Sequence, residues 1–122
     1  MEPQKFCVYN RTRESFLSLG VTVSDTTLEK LKTLIEQLAV TADSGLWMTP
    51  YRGVPAVRGL SPIDLVYLDE DYQIIQLVES YPTAHIEPLT TPASSVLALP
   101  AHTIHASRSQ QGDSLVICVA EE

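Results

Sequence analysis

Three histidines are the residues of this chain that first suggest metal chemistry. His102 and His105 are separated by two residues, and His85 precedes them in a proline-containing stretch. Imidazoles are frequent ligands of zinc and other transition metals. Because β-branched residues follow His102 directly, segment 103–106 is predicted to be a strand. Residues three apart on a strand point to opposite faces, so His102 and His105 are not expected to share an ion without a bulge.

A tryptophan followed by a tyrosine and two arginines forms a second candidate site. Trp47, Tyr51, Arg52 and Arg58 all fall within segment 47–60. An indole ring can stack on a flat ring or a sugar, and a guanidinium can form a fork of hydrogen bonds to a carboxylate. This segment is therefore predicted to bind a small molecule or a protein partner. The alternative is that Trp47, which has an apolar residue on each side, is a core anchor.

Asp64 is the last candidate binding residue, and it follows Pro62 and Ile63 at the start of a predicted strand. Its carboxylate could act as a base or hold a ligand. An aspartate in this position more often accepts backbone N–H bonds and so fixes a loop. Asp113, directly after Gly112, is predicted to be a turn residue for the same reason. No catalytic residue, metal site or cofactor is predicted.

Short strands and one helix are the elements that must position these residues. Runs of apolar and β-branched residues bounded by turn residues predict strands. Such runs fall at 6–9, 16–23, 65–68, 73–79, 96–99, 103–106 and 115–120. Strand signals are also present from residue 45 onward. The polar links at 10–15 and 69–72 are typical of hairpins.

The predicted helix lies between the second and third strand regions. Apolar residues recur there at steps of three and four, namely Leu28, Leu31, Ile35 and Leu38, after a capping-box pattern at Thr26 and Glu29. The predicted fold class is therefore mainly β, a β-sandwich or small barrel of about seven or eight short strands, with one amphipathic helix packed on it.

Four motifs, taken in order, resemble a known family. They are GLWMTP at 45–50, PIDLVYLD at 62–69, VLALPA at 96–101 and the pair Gly112-Asp113. In this order they resemble the bacterial and archaeal family known as domain of unknown function 192. The resemblance implies a compact, mainly β domain and no proven activity.

The chain departs from this family at positions where polar chemistry would be expected. Family members often carry Cys, Ile-His-Thr and Met in the loop between the first two motifs, where this chain has Tyr51, then Val54-Pro55-Ala56, then Gly59. The family's Glu in the third motif is Ala98, and its Gly after Pro-Ala is His102. The chain therefore resembles a diverged member.

Length and charge narrow the classes of function. The 122 residues are expected to form a single domain, 1–122. The net charge is −7, and residues 59–122 carry Arg108 alone against nine acids. Such an acidic half disfavours nucleic acid and anionic membrane as partners. No apolar run is long enough to span a bilayer, and without a signal peptide the chain, if complete, is expected in the cytoplasm.

Cys7 and Cys118 lie near opposite ends of the chain, each in an apolar strand-like segment. Two such residues are expected to be buried free thiols in a reducing compartment. A disulfide between paired terminal strands is the alternative.

Three functional hypotheses follow from these features. The first is a non-enzymatic binding or interaction module that uses the 47–60 loop. The alternative is a metal-dependent enzyme on a cupin-like barrel that uses His85, His102 and His105. A structural subunit of a larger assembly is the third, and the oligomeric state is not predicted.

Overall fold

In the part of the chain that the structure describes, the fold is a single curled sheet with one short helix on it. A computed structural model describes residues 5–24, 44–49, 63–81 and 93–119. The seven strands of this part are β1 (Lys5–Asn10), β2 (Ser15–Ser24), β3 (Ser44–Met48), β4 (Ile63–Leu68), β5 (Ile74–Tyr81), β6 (Ser95–Pro100) and β7 (Leu115–Val119). The helix, α1 (Thr103–Ser107), precedes β7.

The strand order brings together the first and last strands of the described part. The sheet runs β5-β4-β6-β3-β2-β1-β7, so the first strand pairs with the last. All neighbours are antiparallel except β2 and β3, which are parallel. A parallel pair requires a crossover connection, and here that connection is 25–43, outside the described residues.

The sheet curls far enough for its two edge strands to meet at one point. Gln73, one residue before β5, forms an isolated antiparallel bridge with Ser114, one residue before β7. Around this bridge the Ile74 N–H donates to the Asp113 carbonyl at 2.9 Å, and the Leu115 N–H donates to the Tyr72 carbonyl at 2.9 Å. The sheet is therefore a half-barrel joined at one corner.

Burial differs between the two halves of the sheet. One core cluster fills the inside of the curl and includes Trp47, Leu97 and Leu99. A second cluster covers the other face of β3, β4 and β6. Both faces of these central strands are thus buried, and all six residues of β4 are buried, as is typical of strands in the middle of a core. The outer face of β7, β1 and β2 remains partly exposed.

The predicted fold class is confirmed. The domain is mainly β, the described residues form seven strands in a half-barrel, and the hairpin links at 10–15 and 69–72 join antiparallel strands as expected. The amphipathic helix predicted around residues 28–38 lies outside the described residues. Within the described part no helix has the length and apolar character required to cross a membrane.

The strand predicted at 103–106 is wrong, because this segment forms α1. The Ala106 N–H donates to the His102 carbonyl at 2.9 Å, which is a helical bond. Asp64, on β4, accepts the Ile104 N–H at 2.8 Å. A first-turn N–H that has no partner inside the helix is thus satisfied from elsewhere in the chain. This tertiary contact outweighs the strand preference of the β-branched residues.

Both ends of α1 have left-handed backbones. His102 precedes the helix with φ of 75°, and Arg108 follows it with φ of 58°. The Ser109 N–H donates to the Ile104 carbonyl and the Arg108 N–H to the His105 carbonyl, each at 3.2 Å. This is the Schellman arrangement that ends a helix, and it turns the chain toward β7.

Candidate functional site

Trp47 lies in the core at the inner face of β3. Its residue exposure is 9%, and it packs between two rings, Phe6 at 5.9 Å and Tyr72 at 5.6 Å between centroids, both edge to face. Such edge contacts stabilise by about 0.5–1.5 kcal/mol each beyond the buried area. The indole Nε1 is buried and has no hydrogen-bond acceptor among the described residues. The interpretation of Trp47 as a core anchor is confirmed.

Asp64 lies on β4 with no exposed surface. Its Oδ2 accepts the Ile104 N–H, so it holds the first turn of α1 against the sheet. This is the loop-fixing role that the sequence favoured for the residue. Asp64 and Trp47 lie on strands at either side of β6, paired with Leu99 and Leu97 respectively. Ideal sheet spacing separates their Cα atoms by about 12 Å, and their shared role in binding stays a prediction.

The other members of the predicted site, Tyr51, Arg52 and Arg58, lie outside the described residues, as does most of the 47–60 loop. The loop leaves the described part after Thr49, one residue beyond β3. Its role in binding therefore stays a prediction.

His102 and His105 are both exposed, at the start of α1 and within it. The expectation that they point to opposite faces of a strand is wrong, because the segment is helical. His85 lies outside the described residues. In the ranges 5–24, 44–49, 63–81 and 93–119, no three His, Cys, Asp or Glu side chains come together as a metal site would require.

A buried polar network, which the sequence did not predict, ties the β1–β2 hairpin to the turn before β7. Asn10 is fully buried, and its Nδ2 donates to Ser109 Oγ and Asp113 Oδ2, each at 3.0 Å. Arg13 Nε donates to the same Asp113 oxygen at 3.1 Å. The Gln110 N–H is the third donor, at 2.9 Å. One carboxylate oxygen therefore accepts three hydrogen bonds from two distant parts of the chain.

Hydrogen bonding determines the charge state of Asp113. Burial raises the pKa of this carboxyl, but the bonds from Asn10, Gln110 and Arg13, together with the Arg13 charge, outweigh it. The net result is a pKa below the ordinary value of 3.8. Asp113 is thus held as an anion that orders its own turn, and the predicted turn role is confirmed.

An exposed apolar row crosses the outer face of the sheet from β7 to β2. Tyr9 on β1 is paired with Val116 on one side and Phe16 on the other. Directly opposed residues share a face, and the Tyr9 and Phe16 rings lie 4.9 Å apart. Phe16 is 57% exposed and Leu19 is 55% exposed. We call Tyr9, Phe16, Leu19 and Val116 the outer patch.

The sequence did not reveal the outer patch because β2 is apolar on both faces. Phe16, Leu17, Leu19 and Val21 all read as core candidates, yet only Leu17 and Val21 are buried. A register shift between β1 and β2 separates the two sets. Such a bulge changes which face a side chain takes, and residue type alone does not locate it.

Cys7 and Cys118 are free thiols, as expected, and they are opposite each other in the β1–β7 register. Cys7 is half-buried and Cys118 is exposed, so the expectation of buried thiols is wrong for Cys118. The reason is the position of β7 at the edge of the sheet. The Cys7 Sγ lies 3.8 Å from the Leu19 carbonyl oxygen, which places it beside the outer patch.

Two solved structures share this fold. A putative transcription regulator from Sinorhizobium meliloti 1021 superimposes with a TM-score of 0.73 at 18% identity, covering 93% of this chain and 92% of that one. A protein of unknown function from Novosphingobium aromaticivorans DSM 12444 gives a TM-score of 0.71 at 14% identity, covering 92% and 83%. No family model and no curated protein matches the chain. At these identities the likeness establishes the fold alone.

Proposed function

We propose that this chain is a non-enzymatic binding or interaction module whose partner is a protein. The observation that carries the proposal is the outer patch, where Phe16 and Leu19 keep more than half of their surface exposed. Contiguous exposed apolar surface marks interaction sites in soluble domains. The buried carboxylates Asp64 and Asp113 are meanwhile engaged in hydrogen bonds that hold the fold.

The surroundings of the outer patch indicate the chemistry of its partner. The patch lies on the outer face of three paired strands, and an apolar strand or helix face of a partner can pack on this surface. Arg11 is exposed in the turn directly after β1, so it brings a positive charge to this end of the hairpin. A partner segment with two or three apolar side chains followed by a carboxylate fits this arrangement.

A protein partner is favoured over nucleic acid by the charge of the chain. The net charge is −7, and nine acids against one arginine in residues 59–122 would repel phosphates. The free thiols are compatible with a reducing compartment, and we propose the cytoplasm.

The 47–60 loop is the second part of the proposed contact surface. Its support comes from the sequence: Tyr51, Arg52 and Arg58 combine an aromatic ring with two guanidinium groups. Guanidinium and aromatic side chains are enriched among the residues that dominate protein interfaces. Trp47 would then act from the core, by holding the base of the loop.

We also propose membership of the domain of unknown function 192 family. Two backbone requirements support it, each at a position where the family has glycine. A Cβ on Gly45 would lie 2.6 Å from Leu99 Cδ2 and 3.2 Å from the Ala98 carbonyl oxygen. His102 has the left-handed backbone, φ of 75°, that glycine adopts most easily.

The test of the outer patch compares three tagged proteins as baits in extracts of the source organism. The double variant Phe16→Ser/Leu19→Ser removes exposed apolar surface, so it should lose the specific partner while keeping its unfolding midpoint. Val119→Ser is the matched control, because Val119 is 55% exposed but follows Cys118 and so takes the opposite face. A protein retained by wild type and control but lost by the double variant supports the proposal. Equal retention by all three contradicts it.

A second comparison tests the loop. Arg52→Ala/Arg58→Ala should weaken capture of the same partner by about tenfold or more, the effect of losing an interface arginine. Lys30→Ala/Lys32→Ala removes the same charge from another segment and should leave capture unchanged. If both variants behave like wild type, the loop has no part in the contact. Mass in solution distinguishes a second copy of this chain as the occupant.

A further inference from the structure

We infer that Cys7 and Cys118 form a reversible redox pair, a modification site in which a cross-strand disulfide joins β1 to β7. The two residues are directly opposed in an antiparallel register that has no shift along its length. Directly opposed residues place their side chains on the same face of a sheet. Both sulfurs are reachable from solvent, since Cys118 is exposed and Cys7 is half-buried.

The backbone pattern places the pair at a separation that a disulfide can span. The Arg11 N–H donates to the Ser114 carbonyl at 2.9 Å, which makes these two residues a hydrogen-bonded pair. Pair types alternate along an antiparallel ladder, so Tyr9 with Val116, and then Cys7 with Cys118, are of the same type. Their Cα atoms are therefore about 5.5 Å apart, within the range of about 4.4–6.8 Å found for disulfides.

Closing the bond requires a change of rotamer at Cys7, whose Sγ now faces the Leu19 carbonyl. In hydrogen-bonded pairs the Cβ atoms lie about 5.5 Å apart, whereas a disulfide needs about 3.5–4.5 Å. The strands must therefore approach slightly, and the resulting bond is strained. Strained, exposed disulfides are the ones that are readily reduced.

The oxidant is a low-molecular-weight disulfide such as oxidised glutathione. The Cys118 thiolate attacks one sulfur of that disulfide, forms a mixed disulfide and displaces one glutathione thiolate. The Cys7 thiolate then attacks the Cys118 sulfur and displaces the second glutathione. The two protons lost by the cysteines are taken up by the two leaving thiolates, so one protein disulfide and two reduced glutathiones result. Cys118 reacts first because it is the more exposed of the two thiols and access limits exchange.

The disulfide would fasten an edge strand to the sheet. β7 pairs with β1 along its length and meets β5 at a single bridge. Edge strands open more easily than central ones. A bond between residues 7 and 118 closes a loop that spans nearly the whole chain. Closing so long a loop greatly reduces the conformational entropy of the unfolded chain. Oxidation would therefore hold in place β7, which carries Val116 of the outer patch.

The experiment treats the full chain with oxidised glutathione and follows its intact mass. Wild type should lose two hydrogen atoms and stay monomeric, with a peptide map linking residues 7 and 118. Cys7→Ser has no second thiol, so it should instead accumulate one glutathione on Cys118. The wild-type Tm should rise by about 5–15 °C on oxidation and return with dithiothreitol, while neither Cys7→Ser nor Cys118→Ser shows this rise.

Two results would overturn the inference. One is stable addition of glutathione to wild type at the level seen for Cys7→Ser. The other is a covalent dimer through Cys118. Far-ultraviolet circular dichroism of both serine variants, matching that of wild type, ensures that the comparison is made on folded protein. None of these readouts depends on the proposed binding function.

Discussion

His102 has a left-handed backbone where the chain turns from β6 into α1. A side chain with a Cβ pays about 1–2 kcal/mol in this region of φ and ψ. Among the described residues, three other non-glycine residues have positive φ, namely Glu14, Tyr72 and Arg108. Each lies in a turn or at the end of α1. At the residue scale, His102 thus holds a strained backbone conformation that glycine would adopt more easily.

We predict that His102→Gly stabilises the domain. Relief of the left-handed strain exceeds the extra entropy of glycine in the unfolded chain, which leaves a gain of roughly 0.5–1 kcal/mol. The matched control is His105→Gly, which places glycine inside α1 and should cost up to about 1 kcal/mol. Urea unfolding of both variants measures whether each change raises or lowers the free energy of unfolding. Destabilisation by His102→Gly would show that the imidazole makes a contact that stabilises the domain by more than the relief of backbone strain.

At the scale of elements, α1 depends on a residue of β4, Asp64. Asp64 accepts the Ile104 N–H across 40 positions of sequence, and the side chain of Ile104 is buried in the core cluster inside the curl. A helix of five residues is too short to be stable by itself. Tertiary contacts must therefore supply its stability.

We predict that Asp64→Ala releases α1. The change leaves the buried Ile104 N–H without its acceptor and should cost roughly 2–3 kcal/mol. Asp64→Asn is the control, since an amide oxygen can still accept the bond, and it should cost less than half as much. The free energy of unfolding measures the loss, and hydrogen exchange at residues 104–107 locates it. Equal costs for the two variants would contradict the assignment of this bond.

The strands were predictable because alternation and turn residues are local signals. β1, β2, β4 and β6 fall where the pattern places them, within one to two residues. The helical structure of segment 103–106 was not predictable, because the Asp64 carboxylate that makes it helical is distant in sequence. The outer patch and the cysteine pair depend on register, which is decided by bulges and by the strand order.

At the scale of the whole molecule, the segments around β1 and β7 are joined twice. β1 pairs with β7 along five residue pairs, and Asn10 and Arg13 of the first hairpin bind Asp113 of the last turn. The corner between β5 and β7 is built on the same turn, through the Asp113 carbonyl. One carboxylate therefore orders the place where the half-barrel closes.

Acid should weaken the domain through Asp113. Its folded pKa is lower than its unfolded value, so the folded state binds fewer protons and the contribution to stability is fully present above the unfolded pKa. This contribution is lost as the pH falls from about 5 down through the folded pKa.

Asp113→Asn should lower the free energy of unfolding at pH 7 by about 1–3 kcal/mol. It should also flatten the dependence of this free energy on pH in the acid window. Asp71→Asn removes an exposed charge from the β4–β5 turn and should retain the wild-type slope. Urea titrations of wild type and both variants at pH 3 to 7 measure the slope of the free energy of unfolding against pH. If Asp113→Asn keeps the wild-type slope as well, the Asp113 carboxylate does not link the closure of the sheet to pH.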